Sequence, residues 1–152
     1  KIKTVRARIF NTTGPRKIGD VCSDFIYRVV MIEKGKCEPV LKVGNLGTYR
    51  AILDVRDLVR ALVLLSEKGQ PGDVYNISGN KAYQIREILD IILRNTKCQV
   101  VIQEDPALLR PSDEKIIFGD STKLMQETGW RQEINIKDTI KDMFEYWRRK
   151  IT

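Results

Sequence analysis

Tyr49-Arg-Ala-Ile-Leu53, then Asp54-Val-Arg-Asp-Leu-Val-Arg-Ala-Leu-Val-Leu-Leu-Ser-Glu-Lys-Gly69, then Asp73-Val-Tyr-Asn-Ile77 is the stretch that decides the fold. The first five residues read as a strand. Asp54 stands where a helix N-cap belongs, and Val55, Leu58, Val59, Leu62 and Leu65 recur at the spacing of one helix face. A stop comes near Gly69, and after Gln70-Pro71-Gly72 the residues Asp73 to Ile77 read as the next strand. Strand, helix and strand follow one another closely.

Outward from this unit the same alternation continues. Ile2 to Phe10 has period two, with Val5, Ala7 and Ile9 on one face and Arg6 and Arg8 on the other, which predicts a strand. Asn11 to Gly19 is a loop punctuated by Gly14-Pro15, and Val21 to Lys34 is a helix stopped by Gly35. Val40 to Val43 is a short strand and Gly44-Asn45-Leu46-Gly47 a turn. Beyond Ile77, a Ser78-Gly79-Asn80 turn leads to a helix over Ile85–Arg94, and Gln99 to Gln103 is a strand. Asp105 to Asp113 is a loop, Lys115 to Phe118 a short strand, and Asp120 opens a short helix ending at Gly129. The last helix starts at Asn135 and carries Ile136, Ile140, Met143, Phe144 and Trp147 as its apolar stripe. Strands and helices alternating along the whole chain argue for α/β or mixed α+β architecture.

The 152 residues carry 27 Lys+Arg against 20 Asp+Glu, a formal charge of +7, and are 42% hydrophobic. That length fits one domain with a core of its own, and the apolar share excludes intrinsic disorder. No apolar run approaches the roughly 20 residues of a membrane span, and charges interleave with apolar residues from Lys1 to Arg8, unlike a signal peptide. There is no histidine, so Ser-His and Cys-His catalysis and His-containing metal sites are excluded. Cys22, Cys37 and Cys98 are far apart and odd in number, which reads as free thiols of a cytoplasmic protein. The positive residues are dispersed, and their densest cluster, Arg148-Arg149-Lys150, ends a helix whose dipole it complements. No nucleic-acid partner and no membrane are expected.

Arginine is the informative residue type. Arg28, Arg50 and Arg110 fall in a helix, near a turn and in a loop. A guanidinium fork can donate to two phosphate oxygens at once, and Asp113, three residues after Arg110, is placed to accept from ribose hydroxyls. There is no G-x-G-x-x-G, because Gly44-Asn45-Leu46-Gly47 has the wrong spacing and precedes a strand, and there is no P-loop. One Tyr-x-x-x-Lys occurs, Tyr146 to Lys150, but on an amphipathic helix where it reads as structural.

The ordered segments Arg8-Ile-Phe-Asn11…Gly14-Pro15, Val43-Gly-Asn-Leu46, Arg50…Asp54-Val-Arg-Asp-Leu-Val-Arg-Ala61, Gly72-Asp-Val-Tyr-Asn-Ile77, Glu104-Asp-Pro106…Leu109-Arg-Pro-Ser-Asp113, Gly129-Trp130 and Tyr146-Trp-Arg148 resemble the extended short-chain dehydrogenase/reductases that act on nucleotide sugars. The resemblance covers essentially the whole chain and is nearest to the GDP-mannose 4,6-dehydratase and GDP-4-keto-6-deoxymannose reductase branch. It implies the C-terminal part of a Rossmann-like fold: a late sheet strand plus a small mixed α/β substrate-binding lobe over residues 1–152, with the N-terminal dinucleotide-binding half absent. A strand at the very start, with no initiator Met, is likewise expected of a piece of a larger protein.

In residues, the resemblance places Asn11 and Arg28 near a diphosphate, Val43 and Asn45 by the guanine, Arg50 and Arg110 as a phosphate clamp, and Asp113 on the ribose. Where relatives follow the clamp arginine with Asp and an aromatic, this chain has Ala51-Ile52. The implied parent is an NAD(P)-dependent 4-keto reductase or 4,6-dehydratase, in which NAD(P)H delivers hydride to a C4 ketone. The family's catalytic Tyr-x-x-x-Lys and dinucleotide fingerprint have no counterpart here, so the chain alone is expected to hold no catalytic residue, to bind neither NAD(P) nor metal, and to be inactive. The alternatives are a stand-alone nucleotide-sugar-binding module and a basic nucleic-acid-binding domain. An unpaired edge on the first strand predicts self-association.

Overall fold

A computed structural model describes residues 2–109 and 113–152; Arg110, Pro111 and Ser112, and with them the Arg110 half of the expected clamp, lie outside the described residues. In chain order the elements are β1 (Arg6–Ile9), β2 (Thr12–Thr13), α1 (Val21–Glu33), β3 (Val40–Val43), β4 (Tyr49–Ala51), β5 (Leu53–Asp54), α2 (Val55–Lys68), β6 (Val74–Ile77), β7 (Ala82–Gln84), α3 (Ile85–Leu93), β8 (Val101–Glu104), a 3₁₀ turn (Pro106–Leu108), β9 (Ile116–Ile117), α4 (Thr122–Thr128) and α5 (Ile136–Lys150). Three parallel pairs form, β1 with β6, β2 with β5 and β3 with β8. In the one three-stranded sheet β4 lies between antiparallel β7 and parallel β9.

Local chemistry sets the helix ends. Asp20 caps α1 in a reciprocal box with Ser23. Asp54 caps α2 through the Arg56 N–H, and Asn135 caps α5 through Lys137 and Asp138. Gly129 ends α4 at φ 78°, a left-handed conformation that favours glycine.

Two apolar clusters hold the elements. In one, α1, α3 and α5 pack on β3 through Ile26, Val29, Ile88, Ile92, Ile140 and Phe144. In the other, Leu58, Ala61 and Leu65 of α2 pack with Leu124 of α4, Trp130, and Tyr75 and Ile77 of β6. The Trp130 indole donates to the Asp57 carbonyl at 3.0 Å, so its one polar atom is satisfied inside the protein.

Several sequence expectations change, among them the loop over Asn11–Gly19, which holds β2, and the unforeseen strand β7. The strand over Ile2–Phe10 shortens to Arg6–Ile9, since pairing with β6 spans only those residues. The single strand over Tyr49–Leu53 breaks at Ile52, because β4 serves the three-stranded sheet while β5 turns to β2. Val59 and Leu62, expected inward, are exposed, while Asp57 is fully buried. The Asp57 carboxylate accepts from the backbone N–H groups of Glu133 and Ile134 and from Arg60, and this anchor rotates α2 away from its purely apolar stripe. Among the described residues no helix is long and apolar enough to cross a membrane.

Candidate nucleotide-binding cleft

At their carboxyl ends the parallel strands β1 and β3 open into a cleft of about 1170 Å³, closed on its other sides by the start of α1, by β4 and by residues 113–117. A ligand crevice at the carboxyl ends of parallel strands is the usual outcome in α/β proteins, because the connections diverge there. Gly44 lets two of these walls meet. A Cβ at this position would lie 2.7 Å from the Leu108 carbonyl oxygen, so the turn after β3 touches the 3₁₀ turn backbone to backbone.

Of the residues singled out in the sequence, Asn11, Arg28, Asn45, Arg50 and Asp113 all line this one cleft. Val43 does not face it: its side chain is fully buried in the first apolar cluster, and its carbonyl accepts the Asp105 N–H at 2.9 Å. Gly44 takes its place at the rim.

Arg50 is oriented by the protein itself. One terminal nitrogen donates to the carbonyls of Tyr49 and Glu114, both at 2.8 Å, and the other to Asp113 Oδ1 at 2.8 Å. The two side chains are 13% and 22% exposed, so this pair is largely sheltered. Three of the five guanidinium donors are thereby engaged and two remain. Arg50 and Asp113, expected to grip phosphate and ribose, are hydrogen-bonded to each other. Arg28 is exposed, its Nε leans on the Val40 carbonyl at 3.4 Å, and it has no carboxylate partner among the described residues. Asn45 accepts from the Gly47 N–H at 2.9 Å through Oδ1, which leaves its amide donors for a ligand.

Other lining residues escaped the sequence reading. Lys17 sits in the turn closed by its own N–H onto the Gly14 carbonyl, next to Arg16 at φ 74°. A left-handed arginine is strained, and only folding reveals it. Asp20 and Asp24 flank the start of α1; burial and then the neighbouring Asp20 charge raise the Asp24 carboxyl above its ordinary value. Lys42 is paired to Asp105 at 3.3 Å. The position of Asp20 and its capping box in the cleft follows from tertiary packing. The cleft therefore mixes charges, and Lys17, Arg28 and the remaining donors of Arg50 are what it offers an anion. Among the described residues no group of three or more His, Cys, Asp or Glu could hold a metal ion. Tyr146 and Lys150 lie on α5 outside the cleft, Tyr146 edge-on to Trp147 with ring centroids 5.1 Å apart.

The comparisons with known proteins agree with the resemblance in the motifs. Residues 1–143 match the model of the GDP-mannose 4,6 dehydratase family. The chain is 29% identical over 146 residues to the GDP-6-deoxy-D-mannose reductase of Pseudomonas aeruginosa, covering 95% of this chain and 48% of that protein. It is 28% identical over 133 residues to the GDP-mannose 4,6-dehydratase of Sinorhizobium fredii, covering 74% and 37%. The structure of RMD from Pseudomonas aeruginosa complexed with NADPH superposes with a TM-score of 0.89 at 27% identity, over 97% of this chain and 49% of that one. The chain thus spans about half the length of the relatives it matches.

These alignments correct the fold-class expectation. Nearly all of the chain is matched as one α/β unit, and its parallel pairs run from β1 to β9 rather than forming a single late strand beside a small lobe. The description as a C-terminal remnant lacking the dinucleotide-binding half is dropped, and so is the restriction of the chain to a substrate-binding portion. On its matched length and its fold, the chain belongs to the GDP-mannose 4,6-dehydratase family.

Proposed function

We propose that this chain is part of an NAD(P)-dependent enzyme that reduces or dehydrates a nucleotide sugar, and that its cleft holds the nucleotide diphosphate, with a GDP-sugar favoured. The observation that carries the reading is the convergence of Asn11, Arg28, Asn45, Arg50 and Asp113, from five separate segments, on one cleft. Arg28 and the two remaining donors of Arg50 supply charge-assisted hydrogen bonds, worth roughly 1.5–3 kcal/mol each. Asp113 holds the planar Arg50 fork aimed before the ligand arrives, so less freedom is lost on binding. Asn45, at the carboxyl end of β3, offers its amide to the base, and Asn11 lines the same cleft.

A bound NAD(P) would supply the hydride chemistry, giving a hydride in a reduction or taking one up and returning it in a dehydration. The residues here bind and orient: anchoring a diphosphate remote from the reacting sugar carbon fixes that carbon's position, which is how distant binding energy lowers a barrier. The Tyr146 and Lys150 pair, outside the cleft, donates no proton to the substrate.

Titration calorimetry of the folded chain with GDP and with GDP-mannose tests the reading. Both are expected to bind, and Arg28→Gln or Arg50→Gln to weaken each by about tenfold or more. Negligible heat from both ligands in a folded sample overturns it.

A further inference from the structure

Two helix-to-strand connections run side by side. One leads from α1 to β3 and carries Cys37; the other leads from α3 to β8 and carries Cys98. They are tied to each other at both ends. At the helix end, Arg148 of α5 donates through Nε and Nη2 to the Glu33 carboxylate at 2.8 and 2.6 Å, and through Nη2 to the Asn95 carbonyl at 2.8 Å. The Thr96 hydroxyl faces the same carboxylate and accepts the Cys98 N–H at 3.2 Å. At the strand end, the Val101 N–H donates to the Pro39 carbonyl at 2.8 Å, and the parallel register begins with Val40 opposite Val101.

The two cysteines lie between these ties, each three residues ahead of the first register pair. At the spacing of neighbouring strands, about 4.8 Å, equal positions fall within the roughly 4.4–6.8 Å between Cα atoms that a disulfide spans. Pro39 has no N–H and the Val40 N–H turns back to the Glu38 carbonyl at 2.7 Å, so the ladder stops there. Closing a bond between the two sulfurs therefore breaks no sheet pairing. Cys98 is exposed and Cys37 half-buried, so a reagent reaches the first and the second follows. Cys22 differs. It is fully buried in the first apolar cluster, and burial, together with the neighbouring Asp20 charge, pushes its thiol far up, which leaves almost no reactive thiolate.

We propose that Cys37 and Cys98 form a dithiol modification site, closed to an intramolecular disulfide by a small-molecule disulfide such as oxidised glutathione. The Cys98 thiolate attacks one sulfur of the oxidant, forming a mixed disulfide and expelling one thiolate. The Cys37 thiolate then attacks the Cys98 sulfur, forming the protein disulfide and expelling the second. The protein pair is oxidised by two electrons, the oxidant is reduced to two thiols, and the two cysteine protons end on them. The bond fixes β3 against β8 ahead of the turn that holds Gly44 and Asn45 and ahead of Asp105, so one wall of the cleft is stapled from behind. The site is independent of what the cleft binds.

Oxidised glutathione added to the folded chain at micromolar protein is the probe, read by intact mass, by a non-reducing tryptic map and by the thermal midpoint. The expected product is a monomer lighter by two hydrogen atoms, with the Cys37 and Cys98 peptides linked, and dithiothreitol reverses it. Its midpoint rises by about 5 °C or more, because the bond closes a long loop of the unfolded chain. Cys37→Ser is expected to stop at one glutathione on Cys98, with no rise. The map of the wild type needs no variant and decides the matter if the serine chain fails to fold. Wild type that keeps glutathione on Cys98, bonds formed between chains or to Cys22, or a linked form that melts no higher than the reduced one would each overturn the proposal.

Discussion

Asp57 shows how much one side chain can decide. Its carboxylate is fully buried and accepts from two backbone N–H groups and from Arg60. Replacing it with Ala orphans those donors, so Asp57→Ala is expected to lower stability by about 3–5 kcal/mol, seen as a fall in the urea midpoint. A loss under 1 kcal/mol would show that water replaces the carboxylate. Arg50 poses the complementary case: Asp113→Asn removes the charge that aims it while leaving a side chain of the same shape. The variant is expected to fold normally and to bind GDP several-fold more weakly, a split that unfolding and calorimetry on the same sample would reveal. The sequence pointed to Arg50 by its donor geometry. It could not show that Arg50 and Asp113 hold each other, since that depends on β4 and residues 113–114 meeting in space, 63 positions apart.

Helices were the most legible elements. The caps at Asp54 and Asn135 and the stop at Gly129 fix boundaries by local hydrogen bonding, and local bonding is written in short stretches of sequence. Strand ends and inward faces were less legible because they answer to distant partners. Ile52 interrupts an unbroken strand pattern only because its two neighbours join different sheets, and Val59 turns outward only because Asp57 is pinned. The turn after β3 carries a specific expectation. Gly44→Ala would drive a Cβ into the Leu108 carbonyl, forcing the two walls of the cleft apart. We expect a stability loss of about 1–3 kcal/mol together with weaker GDP binding. Unchanged binding would separate this contact from the site.

Across the whole molecule, acid sensitivity follows from buried carboxylates. Burial opposes ionisation of Asp54, but hydrogen bonds from Arg56 and Thr139 outweigh it and hold the carboxyl below its ordinary value. Glu33 is likewise lowered, chiefly by its hydrogen bond to Arg148. A carboxyl depressed by folding stabilises the native state above its unfolded pKa of about 4, and that stability is lost as pH falls through the folded value. The thermal midpoint is therefore expected to hold from neutrality to about pH 5 and to drop below about pH 4, with a shallower drop in Asp54→Asn. An acid limb identical in the variant would remove Asp54 from the account. The family was legible from ordered motifs spread along the chain, whereas its place within the longer relatives was not, since motif order says nothing about what adjoins it.

The central claim, that the five converging segments form one nucleotide diphosphate site, is tested most directly by heteronuclear NMR of the labelled chain titrated with GDP. Saturable shifts are expected at the amides of Asn11, Gly44, Asn45 and Leu46 and at the Arg28 and Arg50 side chains, with the face of α2 bearing Val59 and Val63 unmoved. A spectrum of the folded chain that stays unchanged at millimolar GDP, or shifts that gather away from the cleft, would contradict it.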